Sequence, residues 1–547
     1  MSLNLSINGA VIEAGPGPSL FDYADKLGVQ VPTSCQKQGK CKECIVEVVS
    51  GMECLTERTS EESHLKDRFR LACRCHLTTD TGEVRCHTMR RGQMRIERQA
   101  FSLPASHGKL QLDPAVTRDG DRILIDGNEV DRSTGPIHGL AMDLGTTTIV
   151  LRLFDLETGE LIADSSLENP QRFGGSDVMA RIQYDTTYPG KLLMRTVAGY
   201  LSRAIDEFPV DSRTIYEMVV VGNSTMRDIF FRQDVYSIGQ SPYQSITEIE
   251  LAAGKRTTTS LTQNGRKSLL PIHPQARVYG APIISGHLGA DAAACMLAVD
   301  LGNEDRTIAI MDIGTNTELI VGNKRRILAA SCPAGPAFEG GAIACGMPGL
   351  DGAIERVSLN GSGTFHLGVI GDVPPEGICG SGLIDLMSEL VRTGQMNPMG
   401  RFQDGVDRIT LDDEQGIYFL ESDVNELAQA KGANMAGLQT VFSNYGLQFD
   451  EVDVFYLAGG FGRHVNVDAA RRIGLIPALP DAKIVKVGNA AIEGACIALL
   501  SKTKRQELER LVRQVKHCRL ETHPHFFDFF VEGCQFKPVE STLEVTG

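Results

Sequence analysis

Leu3-Asn4-Leu5-Ser6-Ile7 alternates apolar and polar side chains, the two-residue period of a strand with one buried face. Asn8-Gly9 is a hairpin turn signal, and Ala10-Val11-Ile12-Glu13 returns as a second strand. Ser19 precedes Leu20-Phe21-Asp22-Tyr23-Ala24-Asp25-Lys26-Leu27, apolar at i, i+1, i+4 and i+7, which predicts a short helix. Cys44-Ile45-Val46-Glu47-Val48-Val49 predicts the next strand. Beyond residue 92 the pattern breaks. Residues 93–137 mix Pro104, Pro114, Gly120, Gly127, Gly135 and Pro136 with one strand-like run, Arg122-Ile123-Leu124-Ile125, and read as a linker. From 138 to 547, strand-like runs ending in Gly, Thr or Asp turns alternate with helical segments, which predicts α/β architecture. The expected units are therefore 1–92, a linker at 93–137, and 138–547.

A chain of 547 residues exceeds one core, so two to four domains are expected. The net charge of −15 argues against nucleic acid as a main partner. The first 92 residues carry 12 basic and 12 acidic side chains, so all of the net charge lies beyond them. No basic-then-apolar leader and no run of about 20 apolar residues is visible, so the expectation is a cytoplasmic protein with no membrane segment. No G-x4-G-K-[ST] run occurs, and no G-x-G-x-x-G follows a strand in a dinucleotide-binding context.

Seven of the 14 cysteines fall before residue 90, which points to a metal centre there. Cys35, Cys41 and Cys44 form a C-x5-C-x2-C run, and Cys73 and Cys75 follow in Arg70-Leu71-Ala72-Cys73-Arg74-Cys75. A zinc site would favour two C-x2-C pairs, and only Cys41–Cys44 is one. The run resembles the plant- or adrenodoxin-type [2Fe–2S] ferredoxins, which implies a β-grasp domain holding a one-electron cluster. In ferredoxins of this kind the R-L-A-C sequence carries the fourth ligand, so the resemblance selects Cys35, Cys41, Cys44 and Cys73. Gln38-Gly39-Lys40 inside the loop suits backbone N–H donation to the cluster sulfurs.

Two further segments look like copies of one device: Leu140-Ala141-Met142-Asp143-Leu144-Gly145-Thr146-Thr147-Thr148 and Ile310-Met311-Asp312-Ile313-Gly314-Thr315-Asn316-Thr317. Each is an apolar strand, Asp, apolar, Gly and Thr. Gly lets the backbone approach a phosphate, N–H groups and hydroxyls supply donors, and the Asp at the strand end can hold Mg²⁺ directly or through water. The order of motifs resembles the superfamily of acetate and sugar kinases, heat-shock chaperones and actin. The two segments match its phosphate-1 and phosphate-2 hairpins. Val454-Phe455-Tyr456-Leu457-Ala458-Gly459-Gly460-Phe461-Gly462 matches the adenosine motif, and Gly286–Cys295 and Gly488–Ala495 match the two connecting helices. The resemblance implies a two-lobed actin-like ATPase domain. Asp143 and Asp312 would position Mg²⁺ and water. Gly145, Thr146, Thr147, Gly314, Thr315 and Asn316 would meet phosphates, Gly335 and Glu339 would border the ribose or phosphates, and Gly459 and Gly460 would pass under the base. Asp291 is a further candidate for orienting water.

A one-electron centre joined to an ATP site suggests that hydrolysis drives an uphill electron transfer. The whole chain resembles the reductive activators of corrinoid-dependent methyltransferase systems, also through Gln171–Ile182, Val221–Met226 and Ile378–Leu383. That implies reduction of an inactive Co(II) corrinoid protein to Co(I), a low-potential electron donor and possible homodimerisation. Plant-type clusters sit near about −400 mV. A shortfall of roughly 100 mV for one electron is about 2.3 kcal/mol, within reach of ATP hydrolysis. The competing readings are a redox-sensing ATP-binding regulator and a small-molecule kinase with a redox switch.

Overall fold

The computed structural model describes residues 3–90, 111–361, 363–460 and 464–542. Pro104 and the Phe461-Gly462 end of the adenosine motif lie outside the described residues.

The N-terminal unit is a five-stranded sheet ordered Ala10–Ala14, Leu3–Ile7, Gly82–Thr88, Ile45–Ser50 and Phe69–Leu71. Asn8 and Gly9 both take positive φ, 51° and 84°, as the tight turn between the first two strands requires. Leu3, Leu5 and Ile7 point inward on the same face as Val46, Val48 and Val84. The helix Leu20–Lys26 starts on a capping box in which Ser19 and Asp22 satisfy each other's backbone N–H groups. Its first turn is fastened to the second cysteine segment: Leu20 N donates to Cys75 O (2.8 Å) and Phe21 N to Ala72 O (3.1 Å). Arg70 and Glu62 form a buried ion pair (2.8 Å), and the same carboxylate accepts from Leu71 N (2.9 Å), which anchors the backbone just before Cys73.

The connector holds more structure than its sequence suggests. Val116–Asp119, Arg122–Ile125 and Asn128–Arg132 form a three-stranded antiparallel sheet, where a single strand is expected. Arg118, Arg122, Glu129 and Arg132 pair with other charges and mask the alternation; Val116, Ile123 and Ile125 are buried in the core, with Val130 half-buried against it.

Two six-stranded sheets follow. One runs Leu161–Glu168, Thr148–Asp155, His138–Leu144, Ile215–Val221, Arg277–Gly280, Leu261–Asn264. The other runs Ile484–Gly488, Val454–Ala458, Ile308–Ile313, Thr317–Asn323, Arg326–Cys332, Val515–His517. In each, three antiparallel strands continue into a parallel one beside the first, so the hairpins bearing Asp143 and Asp312 occupy equivalent places. The helices Ala290–Ala298 and Ala490–Leu500, both rich in small residues and almost wholly buried, cross between the lobes. They touch so closely that a Cβ on Gly494 would stand 2.1 Å from Ala294 O. Gly494→Ala is expected to force these helices apart at a cost of about 1–3 kcal/mol, read as a lower denaturation midpoint. No described helix is long and apolar enough to cross a membrane.

Candidate functional site

The loop Cys35–Cys44 curls because Gln36, Lys37, Gly39 and Lys42 all adopt positive φ. Successive reversals of this kind turn N–H groups inward and make an anion-binding concavity. Cys44 Sγ and Cys73 Sγ lie 3.3 Å apart, and Ala72 N donates to Cys44 O (2.8 Å), which fixes the two cysteine segments together. Burial pulls the Cys35 thiol up, but N–H groups of Cys41, Gln38 and Lys40 outweigh it and hold it at about 7. The Cys44 thiol and the Gly39 N–H favour the Cys73 thiolate, also at about 7, while donation to Cys73 and burial push Cys44 up. Cys75 faces elsewhere: it is wholly buried, its thiol is pushed up to about 12 by desolvation, and its charged neighbours are Arg70 and Glu62. The donor set fits a [2Fe–2S] group, since thiols gathered on a loop with converging N–H donors suit cluster sulfur and thiolate charge.

The second centre is a cleft of about 840 Å³ between the lobes. Asp143, Gly145, Thr146 and Thr147 line it from one hairpin, and Asp312, Gly314, Thr315 and Asn316 from the other. Glu339, Gly459 and Gly460 line it as well. Gly335 stands behind the second hairpin: it is not a lining residue, and its N–H donates to Thr315 O (2.9 Å). Gly145 and Gly459 are required by close approach, since a Cβ would meet Thr148 O at 2.6 Å and Ile313 O at 2.2 Å respectively.

Four carboxylates gather at the base of the cleft. Burial raises Asp143 to about 7, against the hydrogen bond from Asn489 Nδ2 (2.7 Å) and with the help of Asp312. Burial and the charge of Asp143 raise Asp291 to about 7. Asp312, which accepts from Cys295 Sγ at 3.1 Å, and Glu318 are likewise pushed up by burial. Such a group of desolvated negative charges suits a hydrated divalent cation. Glu339 Oε2 accepts from Thr147 Oγ1 (2.9 Å) and from Thr315 Oγ1, so one carboxylate bridges the two hairpins.

Residues 306–544 match the family described as the C-terminal domain of RACo, the ASKHA domain, and residues 138–304 match the RACo middle region. Residues 4–78 match the 2Fe-2S iron-sulfur cluster binding domain. The chain is 31% identical to the corrinoid activation enzyme RamQ of Eubacterium limosum, over 77% of this chain and 74% of RamQ. It is 24% identical to the Co(II) methylated amine-specific corrinoid protein reductase of Methanosarcina barkeri, over 75% of this chain and 80% of that one. The solved structure of a reductive activator for corrinoid, iron-sulfur protein superposes with a TM-score of 0.70 at 25% identity, covering 98% of both chains. The chain belongs to the RACo family.

In this RACo-family chain the ferredoxin unit rests on the first lobe. The two share one continuous buried apolar cluster, and Tyr200 Oη accepts from Met89 N (3.2 Å). Arg90 forms a bidentate pair with Glu207 (2.7 and 2.8 Å). Arg195 Nη2 donates to Cys41 O (3.2 Å) and to Glu43 Oε1 (2.7 Å). Arg172 Nη2 pairs with Glu47 (3.0 Å), and its Nη1 donates to Glu168 (2.8 Å). Motif reading did not single out the asparagines that serve the cleft. Asn223 Nδ2 donates to Thr146 Oγ1 (2.9 Å) and Asn489 Nδ2 to Asp143. Asn169 Nδ2 donates to Gly145 O (2.7 Å). Their signal is weak because an Asn before a helix is usually only a cap, and Asn223 and Asn489 are also caps. Arg152 and Glu493, paired at 2.5 Å, close one wall.

Proposed function

We propose that this protein carries out ATP-dependent reductive activation of a corrinoid protein, returning inactive Co(II) to Co(I) by one-electron transfer. The observation that carries the reading is the docking, in one chain, of a ferredoxin unit, with three cysteines on one loop and Cys73 beside them, onto the lobe that also presents the Asp143 hairpin to the cleft. The relatives point the same way, one being named a corrinoid activation enzyme and another a Co(II) corrinoid protein reductase. Cys35, Cys41, Cys44 and Cys73 would hold the [2Fe–2S] group, which when bound supplies one electron at a time from an external low-potential donor. In the cleft, Thr146, Thr147, Thr315 and Asn316 donate to phosphate oxygens, and Gly459 and Gly460 leave room for the nucleoside. Asp143 and Asp312 would hold Mg²⁺, which when bound helps to activate the attacking water, and the two carboxylates would orient that water. Glu339 must release Thr147 and Thr315 before those hydroxyls can turn to phosphate.

The test is a mixture of pre-reduced protein, Co(II) corrinoid protein and ATP with Mg²⁺, followed by Co(I) absorbance. Co(I) should accumulate only with ATP present, and ATP hydrolysis should be stimulated by the Co(II) partner. Equal accumulation without ATP overturns the reading.

A further inference from the structure

The segment Glu168–Arg172 touches both centres. At one end, Asn169 N donates to Thr147 O (2.6 Å) and Asn169 Nδ2 to Gly145 O (2.7 Å), so this residue holds the backbone of the first phosphate hairpin on both sides of its turn. Glu168 is paired in register with Thr148 at the base of the same hairpin. At the other end, Arg172 is bound to the Glu168 carboxylate and reaches across to the ferredoxin unit, where it meets Glu47 (3.0 Å) and Thr88 O (3.3 Å). Glu47 lies on the strand Ile45–Ser50, which begins directly after Cys44. Glu43, on the other side of Cys44, is held by Arg195. The two acidic residues that flank one cluster ligand are thus both clamped by arginines of the first lobe. One of those arginines is three residues from Asn169, the hairpin's own backbone partner. Arg172 and Glu47 are both largely buried, at 14% and 6% side-chain exposure, so the pair is screened little by solvent.

We propose that Arg172 is a positioning residue that couples occupancy of the nucleotide cleft to the reducing power of the ferredoxin unit, nucleotide binding loosening the Arg172–Glu47 clamp and lowering the cluster potential. The proposal deepens the activator reading and rests on it. Two guanidinium groups beside the cluster loop stabilise the added negative charge of the reduced state, so the clamped unit is the weaker reductant. Filling the hairpin with phosphate pulls Thr147 from Glu339 and moves the Gly145–Thr147 backbone that Asn169 holds. The displacement passes along the Glu168–Arg172 segment to the guanidinium. By linkage, whatever factor the nucleotide applies to the electron equilibrium, the electron applies to nucleotide affinity.

The experiment uses the full, cluster-loaded chain and no corrinoid protein, so its failure is separate from failure of the activator reading. The midpoint potential is measured by spectroscopic redox titration with and without Mg²⁺ and the non-hydrolysable analogue AMP-PNP. In the wild-type protein AMP-PNP should lower the potential. In Arg172→Gln the potential should already be lowered, and AMP-PNP should bind but leave it unchanged. A wild-type potential indifferent to AMP-PNP, or a shift that persists in Arg172→Gln, overturns the proposal. Glu47→Gln cuts the same pair from the ferredoxin side and should likewise abolish the response to AMP-PNP. Calorimetry on the wild-type protein gives a further test needing no variant. The oxidised form should bind AMP-PNP more tightly than the reduced form, by about tenfold for every 59 mV of shift, and equal affinities overturn the proposal.

Discussion

Cys73→Ser is expected to yield a protein without the visible absorption of a [2Fe–2S] group and with bound iron near zero, whereas Cys75→Ser should keep both. The two residues are separated by Arg74 alone, yet their environments differ in kind. Cys73 Sγ sits 3.3 Å from Cys44 Sγ on the loop side, and its thiolate is favoured by the Cys44 thiol and the Gly39 N–H. Cluster ligands must be thiolates, and Cys73 faces the Cys44 sulfur and the Gly39 N–H, where such a charge is shared and received. Cys75 lies under the sheet with no exposed surface, and burial pushes its thiol up to about 12. It behaves as a small apolar side chain. Its replacement by serine buries a new hydroxyl and costs about 1–3 kcal/mol of stability, seen as a lower melting temperature with the spectrum unchanged. A Cys73→Ser protein with an intact spectrum would overturn the ligand assignment.

The fold and the two centres differ in how far the sequence reveals them. Asn8-Gly9, the capping residue Ser19 and the alternation of Leu3, Leu5 and Ile7 are local signals, and each appears in the structure as the local rule requires. The hairpins at Asp143 and Asp312 are legible for a different reason. The same strand–Asp–Gly–Thr device occurs twice, and the two lie at equivalent positions of two sheets that share the order of five strands and differ in where the sixth is added. The connector sheet is illegible because charges that pair across its strands look, in one dimension, like solvated loop. Glu339 stands out in the sequence but its geometry does not. That it bridges Thr147 and Thr315 depends on contacts 192 and 24 residues apart in sequence. The arginine clamp is the least visible feature of all. Arg172 falls within Gln171–Ile182, which the resemblance picks out only as a whole, Arg195 reads as the polar face of the helix Leu192–Asp206, and Glu43 and Glu47 read as strand-edge charges. Only the docking of one unit on another gives the four of them a joint meaning.

Asp143→Asn and Asp312→Asn are each expected to lower the rate of ATP hydrolysis by about 100- to 1,000-fold, the range found when one preorganised electrostatic group is removed from an active site. The substitution is nearly isosteric. In Asp143→Asn the carbonyl oxygen of the new amide can still accept from Asn489 Nδ2, so the hairpin keeps its shape while losing a charge. Nucleotide binding itself should change by less than about tenfold, because the proposed phosphate donors Thr146, Thr147, Thr315 and Asn316 are untouched; a loss larger than one hydrogen bond's worth would exceed that figure. Stability should move the other way. Asp143 and Asp312 are buried with Asp291 and Glu318; burial raises all four carboxyls, and the neighbouring charges raise Asp143, Asp291 and Glu318 further. Removing one charge relieves that repulsion, so in the absence of nucleotide and Mg²⁺ the variants should melt at a higher temperature than the wild-type protein. Saturating Mg²⁺ with AMP-PNP should narrow or reverse the difference, since the bound cation supplies the compensating charge only where the carboxylates remain. Variants that hydrolyse ATP at the wild-type rate would remove Asp143 and Asp312 from the catalytic role. Variants that are both inactive and less stable than the wild-type protein without ligand would mean that the carboxylates hold the lobes together, with catalysis lost as a consequence.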